Sequence, residues 1–78
     1  MKPAEILFSR YTADDGRRMV QVHLGGQPIM GAAPADEEGE RRAKAVANQV
    51  IAYYSGHRRA YIILDWDGDS QTTTESKP

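Results

Sequence analysis

A stretch in the second half of the chain places apolar residues at the spacing of one helix face. They follow the pattern i, i+3, i+4, i+7, i+8 and i+11, and are Ala43, Val46, Ala47, Val50, Ile51 and Tyr54. This period matches the roughly 3.6 residues per turn of an α-helix, and such a stripe has to be buried against another element. Asp36 is the predicted N-cap and Gly56 the predicted C-terminal stop. The chain therefore contains one amphipathic helix that needs a partner layer.

Strand patterns precede this helix. Residues 4–12 predict a strand with one strongly apolar face, which carries Ile6 and Phe8, and one mixed face. The Asp15-Gly16 pair predicts a hairpin into a second strand over residues 17–24. After a Gly25-Gly26 turn, residues 27–33 predict a short third strand that carries Ile29 and Met30. Pro28 confines this third strand to an edge or a bulge, because proline has no backbone N–H for the ladder.

A last strand follows the helix. Residues 60–66 are almost entirely apolar, which predicts a central position with at least one face under the helix. The elements together predict an α+β fold: an antiparallel sheet of three to four strands with one helix packed on one face, in the order ββ(β)αβ. Residues 1–69 form the predicted single domain, and residues 70–78 are predicted to be a polar, disordered tail.

Composition narrows the function classes. The chain of 78 residues is 40% hydrophobic and 27% charged and has no cysteine, so disulfides, zinc–thiolate sites and thiol nucleophiles are absent. Its formal charge of -1 gives no global basic field, so direct binding of nucleic acid is not expected. No apolar run approaches the roughly 20 residues of a membrane span, and no targeting signal precedes the first strand. A small cytoplasmic binding module, with no catalytic, cofactor or metal residues, is therefore expected.

An acidic segment ends the last strand and supplies the first candidate partner-binding residues: Asp65, Trp66, Asp67 and Asp69. Its Asp-x-Asp-Gly pattern resembles the first motif of haloacid dehalogenase-type phosphatases, but only nine residues follow Asp69, too few to supply the rest of that site. A calcium loop also fails, because Gly68 falls at position 4 and Ser76 at position 12. An exposed Trp with an acidic rim is instead typical of a protein interface.

Basic residues form the alternative binding surface: Arg41 and Arg42 on the helix, with Arg58 and Arg59 after it. The helix charges are spaced to pair at i, i+4, which is typical of a solvated face. The predicted pairs are Glu37 with Arg41, Glu38 with Arg42 and Glu40 with Lys44. Whether the acidic or the basic surface makes the interface stays open, as does dimerisation through a sheet edge.

Several short segments together resemble small type I anti-CRISPR proteins of the subtype I-F group. The segments are Val20-Gln21-Val22, Gly26, Gly31-Ala32-Ala33, Ala43-Lys44-Ala45 and Tyr61-Ile62-Ile63-Leu64, in this order and spacing. The resemblance implies a phage-encoded inhibitor that acts in the cytoplasm of the bacterial host. Such a protein binds a Cas surveillance complex without chemistry and blocks target DNA or the recruitment of the Cas3 nuclease-helicase.

A second resemblance leads to a different partner. Asp14-Asp15-Gly16 before a strand, then Gly31 and a helix with an acidic start, are similar to the partial RNase-H-like domain of HicB antitoxins. This resemblance implies a small interaction module that neutralises a toxin. The chain has no added DNA-binding unit, so a complete antitoxin-repressor is not expected.

Overall fold

The computed structural model describes residues 2–68, which form five strands and one helix. The elements are β1 (Ala4–Thr12), β2 (Arg18–Leu24), β3 (Gln27–Pro28), β4 (Ala33–Pro34), α1 (Glu37–Gly56) and β5 (Tyr61–Asp67). The strand order is β3-β2-β1-β5, and β4 pairs with β2. The chain is thus a small α+β protein with a mixed sheet. The predicted tail, residues 70–78, lies outside the described residues.

The first hairpin forms as predicted. β1 and β2 pair antiparallel, with Phe8 opposite Val22. The turn between them is closed by a hydrogen bond from the Gly16 N–H to the Ala13 carbonyl at 2.9 Å, and Gly16 has a φ of 88°. Glycine adopts a positive φ with little steric strain because it has no Cβ. The Asp-Gly pair therefore favours this turn.

The predicted third strand is wrong in extent. Instead of one strand over residues 27–33, the structure has β3 and β4, which are two residues each and pair with opposite ends of β2. Pro28 ends β3 and Pro34 ends β4, and neither supplies an N–H to extend its ladder. Ile29 and Met30 lie between them and pack against the core.

The core lies between α1 and the centre of the sheet. Ile6, Val20 and Val22 are fully buried and pack with the Ala43 and Ala47 side of the helix stripe, which confirms the predicted helix face. The helix contacts β2 and β4. The small alanine side chains allow the helix to approach these strands closely.

Both helix ends are capped by nearby groups. Asp36 is the N-cap as predicted, and its Oδ1 accepts a hydrogen bond from the Gly39 N–H at 2.8 Å. The helix ends at Gly56 as predicted, but the left-handed residue is Arg58, with a φ of 55°. The N–H groups of His57 and Arg59 bond to carbonyls of the last turn, so the reversal falls two residues beyond the glycine.

The position and direction of β5 contradict the prediction. Among the described residues, β5 pairs only with β1 and runs parallel to it, so the sheet is mixed and not purely antiparallel. A strand that follows a crossing helix returns in the same direction as its neighbour, which explains the parallel pairing. β5 is also an edge strand, not a central one, because it is added beside β1, beyond the strands that α1 covers. Within residues 2–68, α1 does not have the long apolar stretch that crossing a membrane would require.

Candidate functional site

Within residues 2–68, no strand pairs with the outer edge of β5, which therefore presents free backbone groups. The Ala4 N–H donates to the Ala60 carbonyl at 3.0 Å. This bond shows which residues of β5 direct their backbone groups toward β1 and which direct them outward. Even-numbered residues of β5 therefore direct their backbone N–H and C=O toward β1. Tyr61, Ile63 and Asp65 direct theirs away from the sheet, where they are available to another strand.

The sheet face turned away from α1 is apolar over much of its area, and we call it the open face. Its apolar residues are Leu7, Tyr11, Met19, Ile62, Leu64 and Trp66. The three that belong to β5 are 39%, 39% and 40% exposed, in chain order. Trp66 lies beside Ser9 in the register, and Ser9 is only 7% exposed. No element within residues 2–68 packs over these side chains.

Arg10 organises the opposite side of the sheet, between α1 and β5. Its Nε and Nη2 donate to the two carboxylate oxygens of Glu40 at 2.9 and 2.7 Å, and its Nη1 donates to Asp65 at 3.0 Å. The hydrogen bonds from Arg10 lower the pKa of Glu40, and those from Arg10 to both carboxylates raise its own pKa. This cluster borders a groove of about 410 Å³ whose floor includes Phe8.

The acidic candidates are largely neutralised within the chain. Asp65 pairs with Arg10, and Asp67 pairs with Arg18 at 2.7 Å. The alternation of β5 also places Trp66 on the open face and both aspartates on the helix side, so the structure does not bring these three together on one surface. Asp69 lies outside the described residues.

The basic candidates lie at the two ends of the helix. Arg41 is in its first half, 4.0 Å from Glu37, the predicted i, i+4 pair. The neighbouring Arg42 is exposed on the same helix. The predicted pairing of Glu40 with Lys44 is wrong, because the Glu40 carboxylate is bound by Arg10, a planar donor that matches it with two hydrogen bonds.

At the other end, Arg58 and Arg59 follow the helix. Together with Lys2 they line a pocket of about 370 Å³. The Arg59 guanidinium lies 5.3 Å from the centre of the Tyr54 ring, which is a cation–π distance. No carboxylate within residues 2–68 pairs with Arg58 or Arg59. This end of the molecule is therefore the basic one.

Sequence reasoning missed Arg10 and Arg18, which hold the acidic residues of β5. A signal for Arg10 was present, because it shares the alternating, core-facing positions of Ile6 and Phe8 in β1. A charged residue at such a position needs a charged partner. Within residues 2–68, no group of three or more metal-ligating side chains is present.

Comparisons with family models, curated proteins and solved structures find no match to this chain.

Proposed function

We propose that this chain is a non-enzymatic inhibitor that binds a partner protein through its open face. The observation that carries the proposal is the exposed row of Ile62, Leu64 and Trp66 on a sheet face that no described element covers. Apolar side chains exposed in a contiguous row are typical of binding surfaces. Trp is also enriched among the residues that contribute most of the binding energy at protein interfaces.

The partner proposed first is a bacterial type I Cas surveillance complex. This choice rests on the resemblance to subtype I-F anti-CRISPR proteins, which implies an inhibitor that competes for a surface of the complex. Bound there, the chain would exclude target DNA, or the Cas3 nuclease-helicase, by occupying the surface.

The first test uses a purified subtype I-F surveillance complex and labelled target DNA. The wild-type chain should bind the complex and reduce its binding of DNA or its recruitment of Cas3. Leu64→Lys places a charge at the centre of the exposed row of β5 and should weaken binding by at least about 30-fold, or about 2 kcal/mol, the loss typical of a central interface residue. Circular dichroism and thermal unfolding of the variant establish that it is folded.

Two further variants serve as comparisons. Gln49→Lys introduces the same charge on the exposed side of α1 and should leave binding unchanged. The double variant Arg58→Glu with Arg59→Glu tests the basic surface and should also have little effect. If the double variant abolishes binding and Leu64→Lys does not, the basic end is the interface and the open-face proposal is wrong.

A toxin-neutralising module is the second candidate function. The mixed sheet favours it, because a hairpin and a helix followed by a strand parallel to the first also suit the RNase-H-like resemblance. In this case the chain would bind a small toxin and leave the Cas complex untouched. Co-expression with a toxin encoded beside it, followed by a growth assay with the wild-type and Leu64→Lys chains, separates the two functions.

A further inference from the structure

We infer that β5 is a self-pairing strand: two copies of the chain join their β5 edges antiparallel about a two-fold axis at Ile63. The inference concerns the strand edge and shares Ile62 and Leu64 with the open face, but it is tested by self-association, without the partner of the proposed function. It rests on the free backbone groups of β5, on the order of its side chains and on the distribution of charge along it.

The backbone supplies the hydrogen bonds for this pairing. Ile63 directs its N–H and C=O away from β1, and Tyr61 and Asp65 on either side do the same. With the axis at Ile63, the Ile63 residues of the two copies form a hydrogen-bonded pair. Tyr61 of each copy likewise faces Asp65 of the other. All the free groups in the middle of the edge then have partners.

The side chains match in this register. Ile63, which is 49% exposed, meets Ile63 of the second copy on the helix side of the sheet. On the open face, Ile62 meets Leu64 of the second copy, and the two-fold axis repeats the contact. Opposite apolar side chains on one face are the unit that stabilises a strand pair. The exposed apolar residues at the centre of β5 thus cover one another.

The charges are also complementary. Arg58 and Arg59 precede β5, and Asp65 and Asp67 end it, so the strand is basic at one end and acidic at the other. Antiparallel pairing brings the basic end of each copy beside the acidic end of the other, with Arg59 in register with Asp67. Arg59 has no carboxylate partner within residues 2–68, and in this register it lies beside Asp67 of the second copy, which also pairs with Arg18 of its own chain.

Shifting the axis by one residue toward the C-terminus gives a poorer match. With the axis at Leu64, Ile63 would face Asp65 of the second copy, so an apolar side chain would lie against a carboxylate at two positions. The two Asp65 carboxylates would also lie closer together. A second copy centred on Ile63 therefore matches both the apolar side chains and the charges of this edge.

Single cysteines test both the pairing and its register, since the natural chain has none. In a hydrogen-bonded antiparallel pair the opposite Cα atoms are about 5.5 Å apart, a distance that a disulfide spans. The variant Ile63→Cys should therefore form a disulfide-linked dimer under mild oxidation at least about tenfold faster than Asn48→Cys, an exposed position on α1. Leu64→Cys should react no faster than Asn48→Cys, because its Cα separation exceeds the roughly 7 Å limit.

Sedimentation equilibrium of the unmodified chain provides the second measurement. The average mass should rise from monomer toward dimer between about 1 µM and 1 mM, as expected for a small interface. Ile63→Lys should hold the chain at monomer mass over the same range, with its circular dichroism spectrum unchanged. A monomer at 1 mM, an Ile63→Cys rate equal to that of Asn48→Cys, or faster linkage of Leu64→Cys would each overturn the inference.

Discussion

Arg10 shows how one residue links three elements of this small protein. It lies on β1 at a core-facing position, yet its guanidinium reaches Glu40 on α1 and Asp65 on β5. Its side chain is 28% exposed, so it is not fully desolvated and the ion pairs are partly screened. The cluster fixes the position of the helix relative to β5 more than it contributes to stability.

Glu40→Gln should reveal how much of the protein's stability depends on the ionised Glu40 carboxylate. Arg10 holds the pKa of Glu40 below its usual 4.5, so the ion pair stabilises the fold above that pH and is lost as pH falls through the lowered value. The Glu40 side chain is 36% exposed, so we expect a loss of only about 1 kcal/mol at pH 7. Urea unfolding at pH 7 and pH 3 measures the difference, which should shrink toward zero at the lower pH.

Glu38→Gln is the matched control, because it removes the same charge from the first turn of the same helix. It should lower the free energy of unfolding by less than about 0.5 kcal/mol at pH 7, the value for a charge at a helix N-terminus. A Glu40→Gln deficit that persists at pH 3, or one that Glu38→Gln reproduces, would contradict the assignment to Arg10.

At the scale of elements, the approach of α1 to β4 depends on Gly39. This residue is buried in the first turn of the helix, and a Cβ added there would overlap the Pro34 carbonyl oxygen. The overlapping atom is backbone, so it cannot move aside as a flexible side chain would. The helix therefore lies closer to β4 than any residue other than glycine allows.

Gly39→Ala should consequently destabilise the protein by about 3 kcal/mol, at the upper end of overpacking effects. Gly56→Ala is the comparison, since nothing lies within 4 Å of a Cβ there. It should be neutral or stabilise by up to about 1 kcal/mol, because alanine favours the helix. Thermal unfolding of both variants measures the difference in their stability. Equal melting temperatures would show that β4 moves to accommodate the added methyl group.

The sequence predicted the elements better than their arrangement. The stripe from Ala43 to Tyr54 and the Asp15-Gly16 turn are local signals, and both predictions are confirmed. The error at β5 has a physical cause: a continuous apolar strand is typical of burial on both faces. Here the apolar run belongs to an edge strand with exposed side chains. A central and an edge strand differ only in how many strands pair with them, which depends on contacts between residues far apart in sequence.

The same limit applies to the candidate site. The structure separates the predicted acidic residues from Trp66, because Asp65 and Asp67 are paired on the helix side of the sheet while Trp66 lies on the other face. Alternation along a strand predicts that separation, but the arginine partners come from β1 and β2, far away in sequence. The sequence pattern of β5 does not predict those ion pairs, because their arginines lie far from β5 in the sequence.

For the whole molecule, charge is separated along β5 although the net charge is only -1. Self-pairing through β5 would join opposite ends, so it should weaken as salt screens them. We expect the dimer dissociation constant to rise about threefold to tenfold between 50 and 500 mM NaCl. Sedimentation equilibrium measures this change, and Arg59→Gln should flatten the dependence. A dissociation constant that falls with salt would show that apolar contact alone drives the association.

The parallel pairing of β1 with β5 also bears on the order in which the chain folds. The hairpin of β1 and β2 closes over a five-residue connection, whereas Ile6 and Ile63 meet only after the whole helix has formed between them. Contacts so distant in sequence carry the largest loop-closure entropy and form late. Until β5 docks, β1 is itself the free edge of the sheet. A ribosome-bound chain would therefore keep the outer edge of β1 unpaired until β5 has been synthesised and pairs with it.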